Sequence, residues 1–97
     1  MNITILPSAW SDLANGFAFY ENQHEGLGAI FLESLFSDID SLLLYGGIHR
    51  KVFDYYRLLS KRFPYAVYYS LEGKQLCVKA VLDCRRDPER IRGKLEG

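Results

Sequence analysis

The sequence predicts an α+β domain: an αα-hairpin packed on one face of a mainly antiparallel sheet, with a short C-terminal helix. Three observations carry this reading. Apolar residues recur at helical spacing between residues 8 and 45, alternate at strand spacing from Lys51 to Cys84, and a β-branched run, NITIL, precedes both. Helices and strands segregated in this way build an α+β layer structure and not a chain of βαβ units. The order is β-α-α-β-β-β with a helical tail, in one domain spanning 1–97.

Asn2 to Leu6 is the first strand, and Pro7 stops it. In the next stretch Trp10, Leu13, Phe17 and Tyr20 recur at spacings of three, four and three, one apolar stripe of a helix. Trp10 and Phe17 are assigned to the core on that basis. Either Ser8 caps this helix or Pro7 occupies its first position. Gly16 inside it lowers helix propensity by about 1 kcal/mol. HEGLG interrupts the pattern, and a second helix runs from about Gly28 to Tyr45. Its apolar face is Phe31, Leu32, Leu35, Phe36, Ile39, Leu42 and Leu43; Glu33, Ser37, Asp38, Asp40 and Ser41 are left for water. Gly46-Gly47 ends it. The two helices form an αα-hairpin whose shared apolar side covers the sheet.

From Lys51 the period changes. KVFDYYRLLS reads as one strand, with Arg57, Leu59 and Lys61 on one side and Tyr56, Leu58 and Ser60 on the other. Pro64 then belongs at a strand start, an edge or a bulge. Tyr65 to Leu71 is the next strand, Glu72-Gly73 marks a tight hairpin, and Gln75 to Cys84 is the last, with Leu76, Val78, Ala80 and Leu82 on one face. Asp87-Pro88 supplies an N-cap and a first-position proline for a charged helix to about Leu95.

Net charge is zero, yet all 12 Lys and Arg lie from Arg50 onward. The first 49 residues hold six acids (Asp12, Glu21, Glu25, Glu33, Asp38, Asp40) and no base, and the remainder holds 12 bases against six acids. Such a split suits a two-faced molecule whose basic side meets an anionic partner. A chain of this length buries only about two-thirds of its unfolded surface, so a partner that covers apolar groups matters to it. Cys77 and Cys84 fit no zinc or CxxC pattern and, seven apart on a regular strand, point to opposite faces, so no disulfide between them is expected. No signal segment and no run of 18 apolar residues is present, which makes a reducing cytoplasm the expected compartment and a membrane no partner. No GxxxxGK[ST], HExxH or EF-hand pattern occurs, and neither a metal nor a cofactor is expected.

The run KRFPYAVYYSLEGKQLCVKAVLDCRRDP resembles the C-terminal half of RelE/ParE-family toxins of bacterial type II toxin–antitoxin pairs. The matching positions are Arg62-Phe63-Pro64-Tyr65, Tyr68-Tyr69, Glu72-Gly73 and Arg85-Arg86-Asp87-Pro88. Pro7, Ala9, Asp12 and Leu13 are similar to the start of the first family helix, and Leu27-Gly28 with Phe31-Leu32 to the start of the second. The resemblance implies a small cytoplasmic toxin neutralised by a cognate antitoxin that wraps it, in a hetero-oligomer, with a role in growth inhibition and plasmid stabilisation. RelE-like members cut messenger RNA on the ribosome without a metal; ParE-like members inhibit DNA gyrase. RFPY and RRDP place this chain nearer the ParE-like branch. Relatives often carry His before the Arg-Arg pair; here it is Cys84, which weakens a histidine general acid.

Arg62 precedes one strand and Arg85 ends its antiparallel neighbour, so both fall at one end of the sheet. With Arg86, and with Arg57 and Lys61 from the preceding strand, they are expected to converge as an anion- or target-binding surface of forked donors. For a nuclease, Arg62, Arg85 and Lys61 would be the catalytic candidates, but a proton carrier is missing. His24 and His49 are assigned to the surface. Tyr55, Tyr56, Tyr65, Tyr68 and Tyr69 suit base stacking but are assigned to the two packed faces of the sheet. Cys84 beside two arginines has no histidine base. The expected function is therefore a toxin that binds gyrase. The alternatives are a metal-independent, ribosome-dependent endonuclease and an inactive homologue that only binds its antitoxin.

Overall fold

A computed structural model describes residues 1–97. Strands β1 (Asn2–Ile5), β2 (Lys51–Val52), β3 (Tyr55–Leu59), β4 (Tyr65–Glu72) and β5 (Gln75–Asp83) form one sheet in the order β1-β5-β4-β3-β2. β1 runs parallel to β5 and every other pair is antiparallel. Helices α1 (Pro7–Gln23), α2 (Leu27–Asp40) and the short α3 (Leu42–Tyr45) cover one face; α4 (Pro88–Glu96) covers the other. The α+β class and element order are as the sequence predicts.

Between the hairpin and the sheet lies the main core: Leu13, Phe31, Leu35, Ile39, Val67, Tyr69, Leu76, Val78 and Val81, all buried. Each such side chain contributes roughly 2–3 kcal/mol when taken out of water. The face that α1 turns to this core is Ala9, Leu13, Gly16 and Tyr20, one step round from the predicted stripe. Trp10 and Phe17 are therefore not core residues: Trp10 is half-exposed and Phe17 half-buried. Small residues decide this. A Cβ at Gly16 would lie 2.4 Å from Phe31 Cζ, so the glycine admits the Phe31 ring where periodicity alone reads only a propensity penalty.

The start of α1 is settled in favour of proline. Pro7 opens the helix, Leu6 gives no side-chain cap, and the Ser8 hydroxyl donates to the Lys79 carbonyl at 2.7 Å instead. Asp12 Oδ2 accepts the Val81 N–H at 3.0 Å. Pairing of β1 with β5 ends at Ile5↔Val78, and beyond that point α1 supplies side-chain partners to β5, blunting a bare strand edge. The hairpin link is closed in the same manner: Glu21 accepts the N–H groups of Gly26 and Gly28 at 3.0 and 2.9 Å, so one helix caps the start of the next.

Three local predictions are corrected. The second helix breaks at Ser41, leaving α3 as a separate turn. The strand expected over KVFDYYRLLS is a hairpin, β2–β3, whose central residues Phe53 and Asp54 both take positive φ (54° and 70°); nothing in those residue types announces a turn that asparagine and glycine usually make. In β5, Tyr68 faces Ala80 while Tyr69 faces Val78, so Lys79 is an unpaired bulge residue. Leu76 and Val78 accordingly face the hairpin, and Ala80 and Leu82 face α4, where Ile91 and Leu95 pack on them with Ala66 and Tyr68. The four residues predicted for one face are split between two. The α4 cap is as expected, with Asp87 accepting the Glu89 N–H at 3.0 Å.

Candidate functional site

The expected site is the end of the sheet where β4 begins and β5 stops. The register Tyr65↔Asp83 does bring Arg62 and Arg85 to that end. Their side chains have separate surroundings. Arg85 is clamped to Asp83, Nε to Oδ1 at 2.9 Å and Nη2 to Oδ2 at 2.6 Å, and its own N–H adds a third bond to Oδ1 at 2.8 Å. This forked contact holds the Asp83 carboxyl below the usual range and raises Arg85. Arg86 lines an adjoining hollow of about 300 Å³ with Asp12, Asn15, Phe19, Tyr65 and Asp83. It makes no ion pair.

Lys61 and Arg62 turn to a second hollow against α2, beside Glu33, Ser34, Ser37 and Asp38. Arg57 lies on the opposite face of the sheet, beside the Tyr68 hydroxyl and Cys84. The five cations thus occupy three places and not one cluster: Arg85 and Arg86 at the rim, Lys61 and Arg62 at the α2 seam, Arg57 behind the sheet. Sequence spacing gave the shared end of the sheet; it carries no information on which acid each guanidinium meets, and Asp83 in particular escaped notice.

Tyr20 and Tyr65 form the aromatic floor of the rim, 6.1 Å apart between ring centroids, with Phe31 packed against both and Phe63 against Tyr20 and Phe31. Burial pushes both phenols above their ordinary value. They keep their protons and suit hydrogen-bond donation. Cys84 is exposed yet its thiol is also raised, chiefly by desolvation, so it lacks a reactive thiolate. His49 is not free on the surface: its Nδ1 meets the Tyr69 hydroxyl, which also accepts the Gly47 N–H at 2.9 Å, and burial lowers its pKa. Its partner Tyr69 stands four residues along β4 from Tyr65, roughly 13 Å of strand. His24 contacts only the Glu25 carbonyl in the hairpin link.

A further surface was not foreseen. Trp10, Ala14, Phe17, Leu32 and Phe36, with Leu13 at the base, line an open groove on the outer side of the helical hairpin, and no polar residue takes part. Trp10 and Phe36 stack obliquely at 5.8 Å. The helices that build the groove carry no Lys or Arg. The signal was present in the sequence as an apolar arc too wide for one contact face, read there as core.

No helix is long and apolar enough to cross a membrane. No protein-family model and no curated protein sequence matches the chain. Among solved structures the fold is similar to that of a chain from the chromosomal ParDE toxin–antitoxin system of P. aeruginosa, with a TM-score of 0.75 over 84% of this chain and 92% of that one; identity is 16%, so the likeness is one of fold.

Proposed function

We propose that this chain is the growth-inhibiting toxin of a type II toxin–antitoxin pair, of the ParE-like branch, acting by binding DNA gyrase and neutralised by a cognate antitoxin. The observation that supports it best is the all-apolar groove of the hairpin, set on a fold shared with a ParDE chain. A half-exposed Trp10 flanked by Phe17, Leu32 and Phe36 is unfavourable in water and suits an amphipathic helix laid into it. The absence of any base before Arg50 specifies Lys and Arg on that helix's flanks. On this reading the groove takes the antitoxin, and the rim with Arg85 and Arg86, flanked by Lys61 and Arg62 at the same end of the sheet, meets the target, while Arg57, behind the sheet, takes no part.

Binding is favoured over RNA cleavage by one feature. A nuclease acting through the 2′-hydroxyl needs a base, and the rim phenols, Tyr20 and Tyr65, are shifted in the wrong direction for that role. The test is a gyrase supercoiling assay run beside an assay with translating ribosomes. Inhibited supercoiling with intact message is the expected outcome. Discrete message cuts with unaffected gyrase would establish the endonuclease instead, and harmless expression without any antitoxin would reduce the chain to an antitoxin-binding homologue. For the groove, Trp10→Glu should leave the fold intact and abolish neutralisation by the antitoxin.

A further inference from the structure

The connection from α3 to β2 is tied to the sheet through one buried hydroxyl. Gly46 lies on Leu76 and Gly47 on Leu71, so closely that a Cβ at either would stand 2.9 Å from the leucine Cδ1. Ile48 bonds only back to the Tyr45 carbonyl of its own turn and is 73% exposed. Arg50 is the next residue held by another strand, its carbonyl accepting the Arg57 N–H at 2.9 Å. Between these points Gly47 and His49 both bond to Tyr69 Oη. The Gly47 N–H reaches it at 2.9 Å, and the His49 ring meets it through Nδ1, edge to face with the phenol. Tyr69 itself is fully buried.

Donor counting fixes the protons of this cluster. A backbone N–H can only donate, so the Tyr69 oxygen accepts from Gly47. The phenol's own proton then needs an acceptor inside the fold, and His49 Nδ1 is the one it meets. His49 is therefore neutral, with its proton on Nε2. A second proton, on Nδ1, turns that acceptor into a donor. Two donors then share one oxygen, and the phenol O–H is left buried with nothing to accept it.

From this geometry we infer that His49 is the latch of an acid-opened flap: its protonation releases the Gly46–His49 connection from Tyr69 and uncovers the end of the main core at Tyr69, Leu71 and Leu76. No carboxylate offsets the new charge. The groups around the ring are the phenols of Tyr69 and Tyr56, stacked at 5.2 Å, and the Lys51 ammonium, 4.9 Å from the Tyr56 ring centroid; Arg50 follows in the chain, and α3 contributes Tyr45 as its one titratable group. Burial holds the imidazole below its ordinary value of 6.5. The folded chain thus takes up this proton less readily than the unfolded one. The latch's contribution to stability is whole above 6.5 and declines as the pH falls below it. This device is independent of the toxin reading and stands or falls separately.

The test is a magnetic-resonance titration of the isotope-labelled full chain from pH 7.5 to pH 5. At pH 7.5 the His49 ring nitrogens should report the Nε2–H tautomer, and the Gly47 amide should be protected from hydrogen exchange. As His49 titrates, with a midpoint below 6.5, that protection, corrected for the intrinsic pH dependence of exchange, should fall at least tenfold while the amides of the β4–β5 ladder keep theirs. His49→Asn places a carbonyl oxygen where Nδ1 stands and does not titrate, so it should keep Gly47 protected across the range. Tyr69→Phe should leave Gly47 equally unprotected at both ends. The latch is refuted by an Nδ1–H tautomer at pH 7.5, by Gly47 protection that stays constant through the His49 titration, or by a His49→Asn chain that still loses it. The first two are read on the parent chain and need no variant to fold.

Discussion

Arg85 and Arg86 are adjacent in sequence and differ in everything else. Arg85 is spent on Asp83, whereas Arg86 stands unpaired at the hollow floored by Tyr65. Arg86→Ala should therefore reduce growth inhibition at least tenfold with stability changed by no more than about 0.5 kcal/mol, as for an ordinary surface substitution. Arg85→Ala should lower the melting temperature as well, by freeing a carboxylate. Two carboxyls, Glu21 and Asp83, are held below their ordinary values of 4.5 and 3.8, Glu21 chiefly by the Gly26 N–H and Asp83 chiefly by Arg85. Both bind protons less readily folded than unfolded. Their stabilisation is complete above those values and is lost as pH falls through the depressed folded ones. Melting followed from pH 6 down to pH 2 should show a decline at the acid end that Glu21→Gln makes shallower.

Helices and strands show what periodicity conveys and where it stops. The helical hairpin, the β4–β5 turn and the Asp87-Pro88 cap were legible because each rests on local chemistry. The facing of α1 was not, because Ala9 and Gly16 are chosen by the Phe31 ring across the interface and not by their neighbours in sequence. Gly16→Ala should accordingly destabilise by about 1–3 kcal/mol through overpacking, although alanine is the better helix former. Leu13→Ala should cost about 2–5 kcal/mol. The β2–β3 turn was illegible for the opposite reason, since Phe53 and Asp54 adopt a conformation they disfavour. Replacing Phe53-Asp54 with Asn-Gly should raise stability by about 1 kcal/mol, measured by denaturant unfolding. Of the candidate site, the common end of the sheet could be read from strand pairing. The division of its cations among Asp83, the α2 seam and the back face could not, because it depends on side-chain directions set by packing.

At the scale of the molecule, the sheet is covered on both faces, and the two coverings differ in charge and in size. α4 is a nine-residue helix held by Ile91 and Leu95 on Ala66, Tyr68, Ala80 and Leu82. A chain ended after Asp87 would bare that patch and should aggregate or lose cooperative melting, a check by light scattering and calorimetry. The other covering is acidic throughout, so association of the hairpin groove with a basic helix should weaken markedly between 50 and 500 mM salt, while target contact through the cationic rim should show the same sign for the opposite charge arrangement.

The bulge at Lys79 has an outcome that reaches beyond its own strand. One supernumerary residue resets the phase of everything after it, so Cys77 and Cys84, an odd number apart, end on the same side of the sheet. Only the roughly 20 Å of strand between them keeps the thiols from meeting. Excising Lys79 would preserve every facing, since Val78 and Ala80 would then alternate as on a regular strand, with Val81 still turned to the hairpin and Leu82 to α4; forcing Lys79 into the ladder as a paired residue is what would set the two helical layers in competition for the same strand.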